Sequence, residues 1–69
     1  MKDEVNKMQE VLLRRIHESV PCLEAISDLE LCSMNDYEMI VEEAEKNIRS
    51  ASEEELRSWC KEWEAVYWA

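Results

Sequence analysis

A chain of 69 residues with a net charge of −9 and no glycine is small, acidic and unsuited to a fold built from tight turns. A domain of this length buries only about 60% of the surface that its unfolded chain exposes, so its core is thin and its stability margin small. The apolar fraction of 46% excludes a disordered chain, and the single proline favours helices.

The first half of the chain predicts a long helix followed by a short one. Apolar residues recur at three- and four-residue spacing over about residues 3–19 and would share one face of a helix: Val5, Met8, Leu12 and Ile16. Pro21 has no amide proton, so it interrupts a helix but suits the first turn of a new one. We therefore expect a break at Ser19 or Val20 and a short helix over about residues 21–30.

The second half predicts a connector over residues 31–34 and two further helices, over about residues 36–49 and 53–68. Asn35 with Glu38, and Ser52 with Glu55, have the spacing of a capping box at a helix start. The predicted inward stripes are Tyr37, Ile40, Val41, Ala44 and Ile48, then Leu56, Trp59, Cys60, Trp63, Val66 and Tyr67. The sequence thus predicts a single all-α domain, a small three- to four-helix bundle with short connections.

The chain contains few side chains suited to catalysis. His17 is the only histidine and falls on the flank of the first apolar stripe, so a partner such as Cys22 or Cys32 would have to be brought to it by the fold. The carboxylates occur in runs typical of a solvated helix surface, such as residues 53–55, and no glycine-rich loop is present to hold a phosphate. We predict no catalytic residues, no cofactor and no enzymatic activity.

The cysteines do not predict a disulfide framework or a metal site. Cys22, Cys32 and Cys60 are odd in number and widely spaced. Together with His17 they include four possible zinc ligands, but no two of these have the usual spacing of a zinc site. The charged start of the chain has no apolar run behind it, and no stretch is long enough to cross a membrane. We expect a cytoplasmic protein that binds neither metal nor membrane.

The negative charge is concentrated after residue 20. Residues 1–20 are neutral overall, whereas residues 21–69 contain four basic and thirteen acidic side chains. Such a field repels nucleic acid and anionic lipid and complements a basic protein surface, so we predict a protein partner and no direct nucleic-acid binding. The acidic residues predicted to contact this partner are Glu42, Glu43, Glu45, Glu53 and Glu54.

Three apolar residues do not fit the inward stripes. Met39 points away from the apolar face of the third helix, Trp68 lies away from the other tryptophans of the fourth, and Leu13 lies beside the first stripe. Single exposed hydrophobic residues are ordinary, but tryptophan and methionine are enriched at interaction surfaces. We predict that Met39 and Trp68 belong to a contact face, whereas Trp59 and Trp63 fill the core.

Three short segments carry a resemblance to a known family: residues 13–15, 23–24 and 34–39. Their order and spacing are similar to those of the nucleoid-associated Hha/YmoA proteins, which are short four-helix modulators of H-NS-type silencers. The alignment needs an insertion before Leu23. The acidic-His-Arg signature of that family would fall at residues 46–48 and is missing, and its basic surface is replaced here by an acidic one. We attribute the similarity to shared helical patterning and assign no family.

Small size, acidity and the lack of enzymatic motifs are also typical of phage-encoded inhibitors of host nucleic-acid machinery, anti-CRISPR proteins among them. We therefore interpret the chain as a protein-binding regulator or inhibitor of this type, a nucleic-acid mimic that occludes a basic surface. The alternative is a helical subunit or homodimer that buries its remaining hydrophobic residues against a second copy, with no inhibitory role. In that case the acidic surface would serve solubility.

Overall fold

The computed structural model describes residues 2–66. This range contains four helices: α1 (Lys2–Glu18), α2 (Val20–Ser27), α3 (Tyr37–Ser50) and α4 (Glu53–Glu62). The same residues form no strand, only an isolated bridge between Cys32 and Asn35. The all-α bundle is confirmed, and the second predicted helix exists, although it begins at Val20 and ends at Ser27 rather than at residue 30. Helix α1 packs against the other three helices, and α2 packs against α3.

The break between α1 and α2 is determined by a serine and a proline. Ser19 has an extended backbone, and its hydroxyl accepts a hydrogen bond of 3.4 Å from the amide of Cys22, which caps α2. Pro21 lies in the first turn of the new helix, where its missing amide proton costs nothing. The predicted position of the break is confirmed. It could be predicted because the two residues that determine it, Ser19 and Pro21, lie at the break itself.

The start of α3 differs from the prediction by one residue. Asp36 caps this helix, and its Oδ1 accepts a hydrogen bond of 2.9 Å from the amide of Met39. Asn35 instead closes the preceding turn, since its backbone pairs with that of Cys32 and its Nδ2 donates to the carbonyl of Glu30. The predicted Asn35 cap is therefore wrong. The other predicted cap is confirmed, because the Ser52 hydroxyl accepts from the amide of Glu55 at 3.2 Å.

Helix α4 ends at Glu62, well before the predicted residue 68. Glu64 adopts a left-handed conformation with φ of 51°, and the amide of Ala65 donates to the carbonyl of Cys60 at 2.8 Å. Together with the hydrogen bond from Glu64 to Lys61, this is a Schellman motif that closes the helix. Val66 is consequently 62% exposed and not part of the inward stripe. Tyr67 and Trp68 lie outside the described residues.

The core is formed by the predicted apolar stripes. The fully buried large side chains come from all four helices: Met8, Leu12, Ile16, Leu23, Ile40, Ile48 and Leu56. Trp59 and Trp63, for which the sequence predicts a core position, are only partly buried and pack against its edge, as does Val5. Tyr37 is also predicted inward, but it is 43% exposed because it is the first residue of α3. Aliphatic side chains therefore fill the interior, with aromatic rings around it.

An arginine joins α1 to the end of α4. Arg15 donates two hydrogen bonds, from Nε at 3.0 Å and from Nη2 at 2.8 Å, to the backbone carbonyl of Trp63. Carbonyls at the end of a helix have no partner within the helix, so the guanidinium fills this need from another element. The indole nitrogen of Trp63 is buried and has no hydrogen-bond partner among the described residues. The unpaired indole N–H opposes burial of this ring, whereas the two hydrogen bonds from Arg15 to the Trp63 carbonyl favour the position of the residue.

Replacing Arg15 with lysine keeps the positive charge but removes the planar fork that reaches this carbonyl with two donors. We expect Arg15→Lys to lower the free energy of unfolding by about 1–2 kcal/mol, measured by urea denaturation followed by circular dichroism. Arg14→Lys is the matched control, because Arg14 is exposed, and it should change stability by less than about 0.5 kcal/mol. Equal stabilities for the two variants would contradict the role given to Arg15.

Because the chain has no glycine, acidic residues occupy the two positions with positive φ among residues 2–66, Asp28 at 63° and Glu64 at 51°. The left-handed region costs an ordinary residue about 1–2 kcal/mol, and aspartate tolerates it better than glutamate. We expect Glu64→Gly to raise the melting temperature and to stabilise the fold by about 0.5–1 kcal/mol, and Asp28→Gly to have a smaller effect. A destabilised Glu64→Gly variant would argue against the left-handed cap of α4.

Candidate protein-binding surface

The carboxylates of α3 lie on the side of the helix that faces away from the core. Ile40, Val41, Ala44 and Ile48 form its buried face. Among the predicted contact residues, Glu42 is exposed, and Glu43 and Glu45 are partly exposed. Within residues 2–66, none of these three glutamates forms an ion pair. Lys46 and Arg49 lie one turn from Glu42 and Glu45, but within residues 2–66 they form no ion pair with them, so these carboxylates remain available to a partner.

The α3 glutamates divide into two groups. Glu38, Glu42 and Glu45 succeed one another at four- and three-residue spacing and share one flank of the helix, about 6 Å and 4.5 Å apart along its axis. Glu43 lies on the opposite flank, at four residues from Met39. We call the first group the α3 acidic row. Glu38 belongs to this row but is not among the predicted contact residues, because its spacing from Asn35 suggests only a capping partner.

The glutamates of α4 have different environments from those of α3. Glu53 pairs with Arg57 at 2.8 Å, and the same guanidinium pairs with Glu4 of α1 at 2.9 Å. The hydrogen bond from Arg57 lowers the pKa of Glu53. Glu54 is exposed at the start of the helix. Arg57 therefore joins the carboxylate of Glu53 to α1, whereas Glu54 has no ion pair within residues 2–66.

Several hydrophobic side chains are exposed around the start of α3. Met39 is 47% exposed, as its position on the helix predicts, whereas the other apolar contact candidate, Trp68, lies outside the described residues. Met34, in the turn before α3, is 85% exposed, and Leu31 is 43% exposed. Neither Met34 nor Leu31 is predicted from the sequence, because periodicity identifies exposed positions only within a helix. The sequence feature that could have indicated their exposure is their position in the predicted connector between two helices.

A groove of about 330 Å³ lies between the end of α1 and the start of α3. Its lining consists of His17, Tyr37, Glu38, Val41 and Glu42. The Nδ1 atom of His17 lies 3.3 Å from the Tyr37 hydroxyl, and the two ring centroids are 6.4 Å apart. The groove thus combines a half-exposed aromatic ring, the nearly buried Val41 side chain and two carboxylates of the α3 acidic row.

No hydrogen bond joins His17 to a thiol among the described residues. Cys22 and Cys60 are buried, and burial raises the pKa of each thiol to about 11, which opposes formation of the reactive thiolate. Cys32 is exposed, and His17 contacts Tyr37 instead of a cysteine. The described residues contain no group of three or more His, Cys, Asp or Glu side chains placed to hold a metal ion. Among them there is also no helix long and apolar enough to cross a membrane.

The chain was compared with protein-family models, with curated proteins and with solved structures, and none of them matches it. A function for this chain can therefore be inferred only from the geometry and charge of its surface.

The burial of two thiols predicts selective alkylation. At pH 8, a thiol with a pKa of about 11 is ionised in roughly one molecule in a thousand, and Cys22 and Cys60 are also shielded from reagents. We expect iodoacetamide to modify the native protein once, at Cys32, as measured by intact-mass and peptide mass spectrometry. In urea, all three cysteines should react. Rapid modification of Cys22 or Cys60 under native conditions would contradict the buried positions.

Proposed function

We propose that this protein is a small binding regulator that attaches to a basic surface of a nucleic-acid-handling protein and blocks it. The α3 acidic row is the observation that supports this function. Its three carboxylates lie close together on one flank of a helix whose opposite face is fixed in the core, and none of them has an ion-pair partner within residues 2–66. A rigid row of carboxylates without ion-pair partners is complementary to lysine and arginine side chains.

The sign of the charge makes a protein the favoured partner. Proteins gain most of their affinity for nucleic acid by neutralising phosphates with lysine and arginine, and here acidic residues outnumber basic ones by 17 to 8. A partner whose own surface binds phosphates would accept the carboxylates in their place. We therefore infer an action by occlusion, in the manner of a nucleic-acid mimic and of the kind seen in phage-encoded and anti-CRISPR inhibitors. A reducing compartment such as the cytoplasm suits the three free cysteines.

A homodimeric or subunit role is the second candidate. The exposed Met34, Leu31 and Met39 side chains lie in or near the segment that leads into α3 and could be buried against a second copy. The repulsion between two chains of charge −9 opposes this association at low salt. Such a dimer should therefore become stronger as salt increases, whereas binding to a basic partner should become weaker.

Reversing charges on α3 tests the regulator function. A tagged protein would be used to capture partners from a lysate of its native or host cell, and captured proteins would be identified by mass spectrometry. We expect a stoichiometric partner that handles nucleic acid, and we expect the triple variant Glu38→Lys, Glu42→Lys, Glu45→Lys, which reverses the α3 acidic row, to reduce its binding at least tenfold, because opposed charges become like charges. Raising the salt concentration should have the same effect on the parent protein.

The matched control reverses three other exposed glutamates, Glu10, Glu30 and Glu62, which changes the net charge by the same amount. It should retain most of the binding if the position of the charge matters. Binding that does not respond to salt, or capture of the protein's own copies alone with twice the monomer mass, would contradict the proposal and favour the homodimer.

A further inference from the structure

The groove between α1 and α3 contains an aromatic ring and an apolar surface in addition to two carboxylates of the α3 acidic row. It is an open concavity of about 330 Å³, at the lower limit of the volume range of small-molecule sites and suited to one long side chain. Tyr37 presents a half-exposed ring to it, and Val41 contributes an apolar surface that is only 9% exposed. Glu38 and Glu42, one turn apart on α3, place two carboxylates at the same concavity.

The ring of Tyr37 is held in place rather than freely solvated. Its backbone begins α3 directly after the Asp36 cap, and its hydroxyl lies 3.3 Å from Nδ1 of His17 on α1. These two attachments fix the ring from opposite ends. An aromatic face that is exposed and also fixed offers a surface on which a flat cation can stack at little cost in entropy.

From this geometry we propose that the groove binds one arginine side chain of the partner's basic surface. The aliphatic part of an arginine would pack on Val41, its planar guanidinium would stack on Tyr37, and its N–H groups would donate to Glu38 and Glu42. Within residues 2–66, neither glutamate has an ion pair that would compete with this contact. The inference rests on the proposed function and specifies the contact through which that function is exerted.

A second cleft, between the ends of α2 and α3 and the start of α4, is smaller and less acidic. It measures about 210 Å³, and its lining includes the aromatic ring of Trp59 but only one carboxylate, Glu55. Asn47 in this cleft already donates a hydrogen bond of 2.8 Å to the carbonyl of Ile26. Of these two concavities, the groove beside Tyr37 therefore offers the greater charge complementarity to an arginine, because it has two carboxylates.

The probe for this inference is a capped tri-arginine peptide, titrated into the isotopically labelled full chain at low salt and followed by NMR. We expect saturable shifts at the Tyr37 ring and at the amides of residues 38, 41 and 42. A capped tri-lysine peptide should bind more weakly, because an ammonium group lacks the planar face for stacking. The double variant Glu38→Gln, Glu42→Gln should weaken arginine binding about fivefold or more, since it removes both charged acceptors.

The matched control is Glu10→Gln, Glu62→Gln, which removes the same charge from exposed positions outside the groove. It should weaken binding by less than about twofold at moderate salt. Equal losses in the two double variants, or equal affinity for arginine and lysine peptides, would overturn the inference, because either result indicates attraction by the overall charge alone. The variant Tyr37→Leu tests the stacking contact without changing the charge. If it binds the arginine peptide as well as the parent protein does, the inference is also overturned.

The failure of this inference can be separated from the failure of the proposed function. If a nucleic-acid-handling partner is captured in a salt-sensitive manner but its binding is unaffected by the double variant Glu38→Gln, Glu42→Gln, the proposed function stands and the arginine groove is wrong. If the free chain sediments as a dimer that this double variant disperses, the groove is occupied by a second copy, and the partner arginine is likewise ruled out.

Discussion

The apolar stripe of α1 holds the protein together, because α1 is the element against which each of the other helices packs. Met8, Leu12 and Ile16 form this stripe, and all three are buried. A stripe of this width can be covered only by apolar residues from three directions, so α2, α3 and α4 each contribute one apolar face to it. Helices α2 and α3 also pack against each other, and the faces that contact no other helix carry the exposed glutamates of α3 and α4.

Two arginines strengthen these contacts and thereby change the electrostatics of the surface. Arg15 is engaged with the carbonyl of Trp63, and Arg57 bridges Glu4 and Glu53, so both guanidinium groups hold α4 to α1. Neither is directed to the α3 acidic row. The α3 acidic row therefore receives no ion pair from these two cations, and within residues 2–66 it forms none with Lys46 and Arg49 of its own helix. Surface ion pairs add little stability, but their positions determine where charge remains unbalanced.

The parts of the fold that depend on neighbouring residues could be predicted from the sequence, and the parts that a distant contact decides could not. The break before Pro21 and the cap at Ser52 were predictable because a side chain one turn away determines each. Asn35 and Asp36 are both good caps, and the pairing of Cys32 with Asn35 selects between them. The end of α4 was missed because no glycine marks it and the apolar spacing continues past it. The exposed glutamates of α3 were predicted from the helical period, but the contact between His17 and Tyr37 joins residues twenty positions apart, and no local pattern indicates it.

The proposed function requires so small a domain to bind selectively, and a folded acidic surface has an advantage in this respect over an unfolded one. An unstructured acidic chain would attract the same basic surfaces but would lose conformational entropy in ordering each side chain. Here the core face of α3 fixes the backbone of the acidic row, and the contact with His17 restricts the Tyr37 ring before any partner arrives. In the proposed function, overall charge would govern the rate of encounter, because it acts over a Debye length, whereas the shape of the groove and the exposed Met39 would govern how long a partner stays. Such a surface would discriminate between basic proteins that present an arginine at the right place and those that are merely positively charged.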